Sequence, residues 1–145
     1  MNGYKKEYYA HIRINENGEN VYQTVKEHLD GTAALCGDFA SKFGYAKEGK
    51  IAGEFHDLGK YTEAFQNRLL HDGPKVDHAT AGALTCAENG QYVIAECIAG
   101  HHGGLQDFGN FNADNPGDPT FSGRIKKGFY GKYLDKCDAE VINSI

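Results

Sequence analysis

His28, His56, Asp57, His78, His101 and His102 form an ordered series of metal-ligating side chains at spacings suited to one cluster. A fold that uses them together has to draw their segments to a common point. Five of the seven histidines belong to the series, and the adjacent pairs His56-Asp57 and His101-His102 already put several donors close together. A carboxylate beside imidazoles can bridge two divalent ions, and two such ions can hold both the attacking and the leaving oxygen of a phosphodiester.

The segments between these residues carry the helical period. Val21, Val25, Leu29, Ala33, Cys36, Phe39, Ala40 and Phe43 recur at three- and four-residue steps, which predicts a helix with His28 on or near its buried face and Gly44 as its stop. A second helix is expected from about Glu48 to Leu58, with Ile51, Phe55 and Leu58 inward, His56 and Asp57 in its last turn and Gly59 ending it. Tyr61 to Leu70 reads as a short helix with Phe65 and Leu69 inward, and Asp72-Gly73-Pro74 breaks the chain before His78. His78 is expected to open a helix of small residues, Ala79, Ala81, Gly82 and Ala83. A further helix, Tyr92 to Gly100, puts His101-His102 where it meets Gly103-Gly104.

Asp107 to Gly123 reads as an irregular Gly-, Asn- and Pro-rich loop over one side of the site, and Ser122 to Ile142 as a last helix. No β-alternation or internal repeat stands out, so the expected fold class is all-α.

A chain of 145 residues with 40% hydrophobic content can bury one ordinary core, so a single domain over residues 1–145 is expected. The start, Met1-Asn2-Gly3-Tyr4-Lys5-Lys6, is polar, and no stretch approaches the roughly 18 apolar residues that a membrane span requires. The expectation is a cytoplasmic protein with no membrane partner. Cys36, Cys86, Cys97 and Cys137 form no CxxC pair and read as buried, reduced thiols. A net charge of -5 argues against a general polyanion binder, although ions in the site or a partner domain could supply positive charge. Arg124, Lys126, Lys127 and Lys132 read as a solvated helix face. An ATP-binding loop is not expected, because five residues separate Gly53 from Gly59 and Tyr61 takes the place of the required Ser or Thr.

From about Val21 to Phe108 the motifs resemble the HD-domain metal-dependent phosphohydrolases, and within them the HD nuclease domain of the CRISPR-associated helicase-nuclease of type I systems. The residues that carry the resemblance are His28, His56-Asp57-Leu58-Gly59-Lys60, His78-Ala79-Thr80-Ala81-Gly82-Ala83 and His101-His102-Gly103-Gly104-Leu105-Gln106-Asp107-Phe108. The resemblance implies a compact HD-domain helical bundle that binds one or two divalent ions. It assigns His28, His56 and Asp57 to the first ion, and Asp57, His78, His101 and His102 to the second. Asp57 and Lys60 take catalytic roles, the lysine orienting the scissile phosphate or stabilising its charge. Imidazole donors favour Mn, Fe, Co, Ni or Zn over Mg, which prefers an all-oxygen shell.

The resemblance further implies a nuclease that cleaves single-stranded DNA in CRISPR interference, an antiviral defence. Its partners would be single-stranded DNA, a fused or separate helicase domain and a crRNA-guided surveillance complex. The apolar ending, Val141 to Ile145, suggests a piece of a longer protein, such as the N-terminal part of a helicase-nuclease.

His11 and His71 match no motif position and read as surface residues. One departure stands out. The family usually supplies a late aspartate to the first ion, and the surroundings of Asp135 and Asp138 match that motif poorly. Two other readings follow: an HD phosphohydrolase of nucleotides or cyclic nucleotides, and a catalytically weak HD module used for binding or assembly.

Overall fold

Asn17-Gly18 reverses the chain within a β-hairpin, a sheet element that the all-α expectation lacks. The fold is seen in a computed structural model that describes residues 6–144; residues 1–5 and 145, including most of the polar start, lie outside the described residues. Strands β1 (Tyr9–Ile14) and β2 (Asn20–Thr24) pair antiparallel, with His11 opposite Gln23 and Arg13 opposite Val21. Gly18 takes φ 78°, and the Asn15 side chain accepts from the amides of Asn17 and Glu19, both at 2.9 Å. An Asn-Gly pair is the usual chemistry of such a turn.

Thr24 both ends the hairpin and starts α1 (Val25–Ser41). Its hydroxyl accepts from the Glu27 amide at 3.1 Å, and the Glu27 carboxylate accepts from the Thr24 amide at 3.1 Å. This reciprocal cap sets the helix start at Val25 and leaves Val21 in a strand, four residues into what periodicity assigned to the helix. Val25, Leu29, Ala33 and Ala40 face inward, whereas Phe39 and Phe43 at the far end are 59% and 68% exposed. The helix that covers α1 packs on Gly37 and Ala40 at that end, which leaves Phe39 off the covered side, and Phe43 lies past the last helical residue.

That helix is α2 (Ala46–Phe55), and the approach between the two is close. A Cβ on Gly53 would stand 2.5 Å from the Ala33 Cα, so only glycine fits there. After α2 the chain passes His56 and Asp57 into a single 3-10 turn, Leu58–Tyr61, and then α3 (Glu63–His71), which Thr62 caps. Helices α4 (Ala79–Glu88) and α5 (Tyr92–Gly100) pack together beneath the turn. Phe55, Leu58, Tyr61, Leu29, Ile98 and Phe121 are at most 2% exposed. Burial of each such side chain contributes roughly 1.5–3 kcal/mol.

The expected last helix is two pieces, α6 (Phe121–Lys127) and α7 (Ala139–Ile142). Gly128, at φ 74°, stops α6 by a conformation that helical residues do not adopt. The segment before α6 is irregular as expected, but it is tied down. Asp114 accepts from the Asn110 amide and the Thr120 hydroxyl, both at 2.8 Å, and from the Ser122 hydroxyl. The cysteines are free, but only Cys86 is fully buried, and Cys97 is exposed on the outer face of α5. Among the described residues no helix is long and apolar enough to cross a membrane.

Candidate metal centre

The six positions of the series lie on four segments that converge. His28 stands in the first turn of α1. His56 caps the C-terminus of α2 and Asp57 follows it. His78 stands immediately before α4, His101 caps the end of α5, and His102 follows. Two groups result, each with ligand atoms within 4.8 Å of one another: His28, His56 and Asp57, and Asp57, His78, His101 and His102. Asp57 belongs to both.

Its two oxygens divide between the groups. Oδ2 lies 3.0 Å from His28 Nε2 and 3.2 Å from His56 Nε2, whereas Oδ1 lies 3.2 Å from His101 Nε2 and 3.5 Å from His78 Nε2. His28 Nε2 is 3.1 Å from His56 Nε2, and His78 Nε2 is 2.8 Å from His102 Nε2.

The helix ends orient two of these rings in the same way. His56 Nδ1 donates to the Gly53 carbonyl and His101 Nδ1 to the Ile98 carbonyl, each at 2.6 Å and each reaching back three residues. A carbonyl only accepts, so the proton of each neutral ring sits on Nδ1. Nε2 then presents a lone pair to the carboxylate. Such facing acceptors repel unless a proton or a metal cation lies between them.

Asp57 Oδ1 is buried without a hydrogen-bond partner when these rings are neutral. This donor set fits a divalent cation: several imidazole nitrogens and both oxygens of one carboxylate converge, with the opposite ring nitrogens of His56 and His101 anchored as metal-bound histidines usually are.

Burial opposes ionisation of Asp57, but hydrogen bonds from His101, His28 and His56 in their protonated form outweigh it and hold the carboxyl well below its ordinary range. Burial lowers His78 and His102. It also acts to lower His101, but the Asp57 and Ile98 hydrogen bonds prevail and raise that ring.

Lys60 Nζ is buried and engaged. It lies 3.0 Å from Asp57 Oδ2, donates to the Ala10 carbonyl at 3.4 Å and to His11 Nε2 at 3.3 Å, and stands over the Phe65 ring. With these partners it supports the carboxylate from the protein side, a different position from one reaching towards a substrate phosphate. His11, read as a plain surface residue, is exposed but touches the centre: its ring centroid is 4.7 Å from that of His28. Sequence carried no sign of this, because only the hairpin brings residue 11 to residue 28. His71 is exposed and stands in neither group, as expected. Neither Asp135 nor Asp138 joins the first group, and Asp138 accepts from the Tyr61 hydroxyl at 2.8 Å.

Arg124 is half-buried and holds two ligand segments together, which corrects the reading of a solvated face. Its Nε donates to the Thr80 hydroxyl at 2.8 Å, Nη1 donates to the Ala99 carbonyl at 2.6 Å, and Nη2 lies 3.6 Å from Asp77. Asp77 in turn accepts from the Ala79 and Thr80 amides, which fixes the start of α4 beside His78.

A family model for the HD domain matches residues 25–138, a span that includes every residue of both groups. The chain belongs to the HD-domain family. No curated protein matches it. As an HD domain the chain is a metal-dependent hydrolase of the phosphohydrolase type, and the two groups around Asp57 are compatible with metal binding.

Proposed function

We propose that this HD domain is a metal-dependent nuclease that cleaves single-stranded DNA in CRISPR interference, working with a fused or separate helicase domain and a crRNA-guided surveillance complex. The observation that carries the reading is the division of Asp57, with one oxygen towards His28 and His56 and the other towards His78 and His101. A carboxylate shared in this way suits two cations set side by side, the arrangement that in-line displacement at a phosphodiester uses. Divalent ions held there would supply Lewis acidity and a nucleophile near neutral pH.

The protein residues do the rest. His28, His56 and Asp57 would hold one cation, and Asp57, His78, His101 and His102 the other. The Gly53 and Ile98 carbonyls keep His56 and His101 in the ligating tautomer. Lys60 fixes the orientation of Asp57 and balances its charge. The imidazole donors favour Mn, Fe, Co, Ni or Zn over Mg. His101 and His102 are exposed, so a polymer can reach the donor atoms without entering a closed chamber.

The test is incubation of circular single-stranded DNA with purified protein and Mn, Ni, Co or Mg, beside an Asp57→Ala control and a panel of nucleotides and cyclic nucleotides. Metal-dependent opening of the circle that disappears in the control supports the nuclease. Hydrolysis confined to the nucleotides makes this a small-substrate phosphohydrolase, and no turnover of any substrate makes it a binding module.

A further inference from the structure

Arg13 has no ion-pair partner among the described residues, whereas the other two arginines do: Arg68 pairs with Asp72 and Arg124 with Asp77. In a chain of net charge -5, an exposed unpaired guanidinium beside a phosphohydrolase site is open to an anion from outside the chain. Arg13 lies two residues beyond His11 on β1, so both side chains project from the same face of the strand. Together with Val21, Tyr22 and Gln23 they line a cavity of about 230 Å³ on the hairpin.

That cavity adjoins the metal centre through His11, whose ring meets His28 edge-on while its Nε2 accepts from Lys60. Because Nε2 accepts, Nδ1 carries the proton, and it has no hydrogen-bond partner among the described residues. The hairpin thus offers an imidazole N–H and a guanidinium in line, leading outward from the first group of ligands. Guanidinium and N–H donors recognise phosphate oxygens.

We propose that the hairpin is a substrate arm, in which His11 and Arg13 bind a backbone phosphate of the single strand next to the scissile one. The proposal rests on the nuclease reading and deepens it, because a small nucleotide would have no second phosphodiester to place there. Such an arm also answers how an acidic domain holds a polyanion: a local cationic edge serves in place of a basic surface.

The test is binding of a short labelled oligothymidylate in EDTA, followed by fluorescence anisotropy over a salt series, so that no turnover is needed. Arg13→Ala should weaken binding roughly tenfold and reduce the salt slope by about 0.7, the share of one phosphate contact on a single strand. Arg13→Lys should recover the slope but only part of the affinity, since it lacks the planar fork. Arg68→Ala, which removes an already paired charge on α3, should leave both unchanged.

An Arg13→Ala protein that binds as the wild type does, or a wild type that does not bind the oligonucleotide, overturns the arm. Cleavage of circular DNA and of bis(p-nitrophenyl) phosphate by the wild type with Mn separates the two failures. If the circle is cut and Arg13→Ala binds normally, the arm alone is wrong. If only the small diester is hydrolysed and no strand is bound, the nuclease reading fails with it.

Discussion

The Gly59 amide donates to the His78 carbonyl at 3.2 Å, joining the turn after His56-Asp57 directly to the residue that opens α4. A Cβ on Gly59 would stand 2.5 Å from the His78 Cα, so the two ligand segments approach at a distance that only glycine permits. Gly59→Ala should therefore push His78 away from Asp57. The expected cost is about 1–3 kcal/mol of stability, as for other overpacked sites, together with weaker metal binding. Thermal unfolding in EDTA reads the first effect and calorimetric titration with Mn the second. An unchanged melting temperature would show that the backbone yields there without strain.

Asp57 faces both groups of histidines, so its loss should not be confined to one of them. Asp57→Asn keeps the shape but removes the charge and leaves an amide nitrogen towards one set of lone pairs. Metal content by mass spectrometry should fall at both sites, and hydrolysis should drop by more than the roughly 10–100-fold typical of outer-shell partners. Retention of one ion per chain in the variant would mean that the histidines of one group suffice without the carboxylate.

Arg124 joins Thr80, two residues past His78, to Ala99, two residues before His101. Arg124→Ala strips the Ala99 carbonyl and the Thr80 hydroxyl of a charged donor, which should cost about 1–3 kcal/mol and weaken metal binding. Neighbouring Lys127 is exposed, and Lys127→Ala should change stability by no more than about 0.5 kcal/mol. Urea unfolding of the two variants side by side checks the contrast. Equal stabilities would return Arg124 to the solvated face that its sequence suggested.

Sequence signals differ in range, and the place of Arg124 rests on contacts that span the fold, whereas the positions of the histidine pairs rest on local ones. His56-Asp57 and His101-His102 follow apolar runs of helical period with glycine at their ends, so their place at helix termini could be read locally. The run Tyr92 to Gly100 has the same bounds in the sequence pattern and in α5. The hairpin was legible too, in Asn17-Gly18 and in the Thr24-x-x-Glu27 cap, but the apolar step through Val21 masked both. Phe39 keeps the period of α1 and still faces outward, because periodicity marks a stripe and says nothing of which side of it the neighbouring helix covers, and Phe43 continues the period past the end of the helix. Contacts that span the fold, such as His11 to His28, Lys60 to Ala10 and Arg124 to Ala99, leave no local trace. The pairing that makes Lys60 a support for Asp57 is of this kind.

Glu54, two residues before His56, is only 8% exposed. Burial and a hydrogen bond with the Asp30 carboxylate push its carboxyl up to about 7, against an ordinary value of 4.5. Between these two values the folded chain holds a proton that the unfolded chain has released. The resulting stability is fully present below pH 4.5 and is lost as pH rises through about 7, where Glu54 must ionise in its buried position. Metal-free protein should therefore unfold at lower urea concentration at pH 8.5 than at pH 6. Glu54→Gln, which keeps the hydrogen bond and cannot ionise, should remove most of that difference. The comparison belongs in EDTA, because bound cations would add their own pH dependence through the histidines. If the variant shows the same fall between the two pH values, another group is responsible and Glu54 is ionised in the fold at neutral pH.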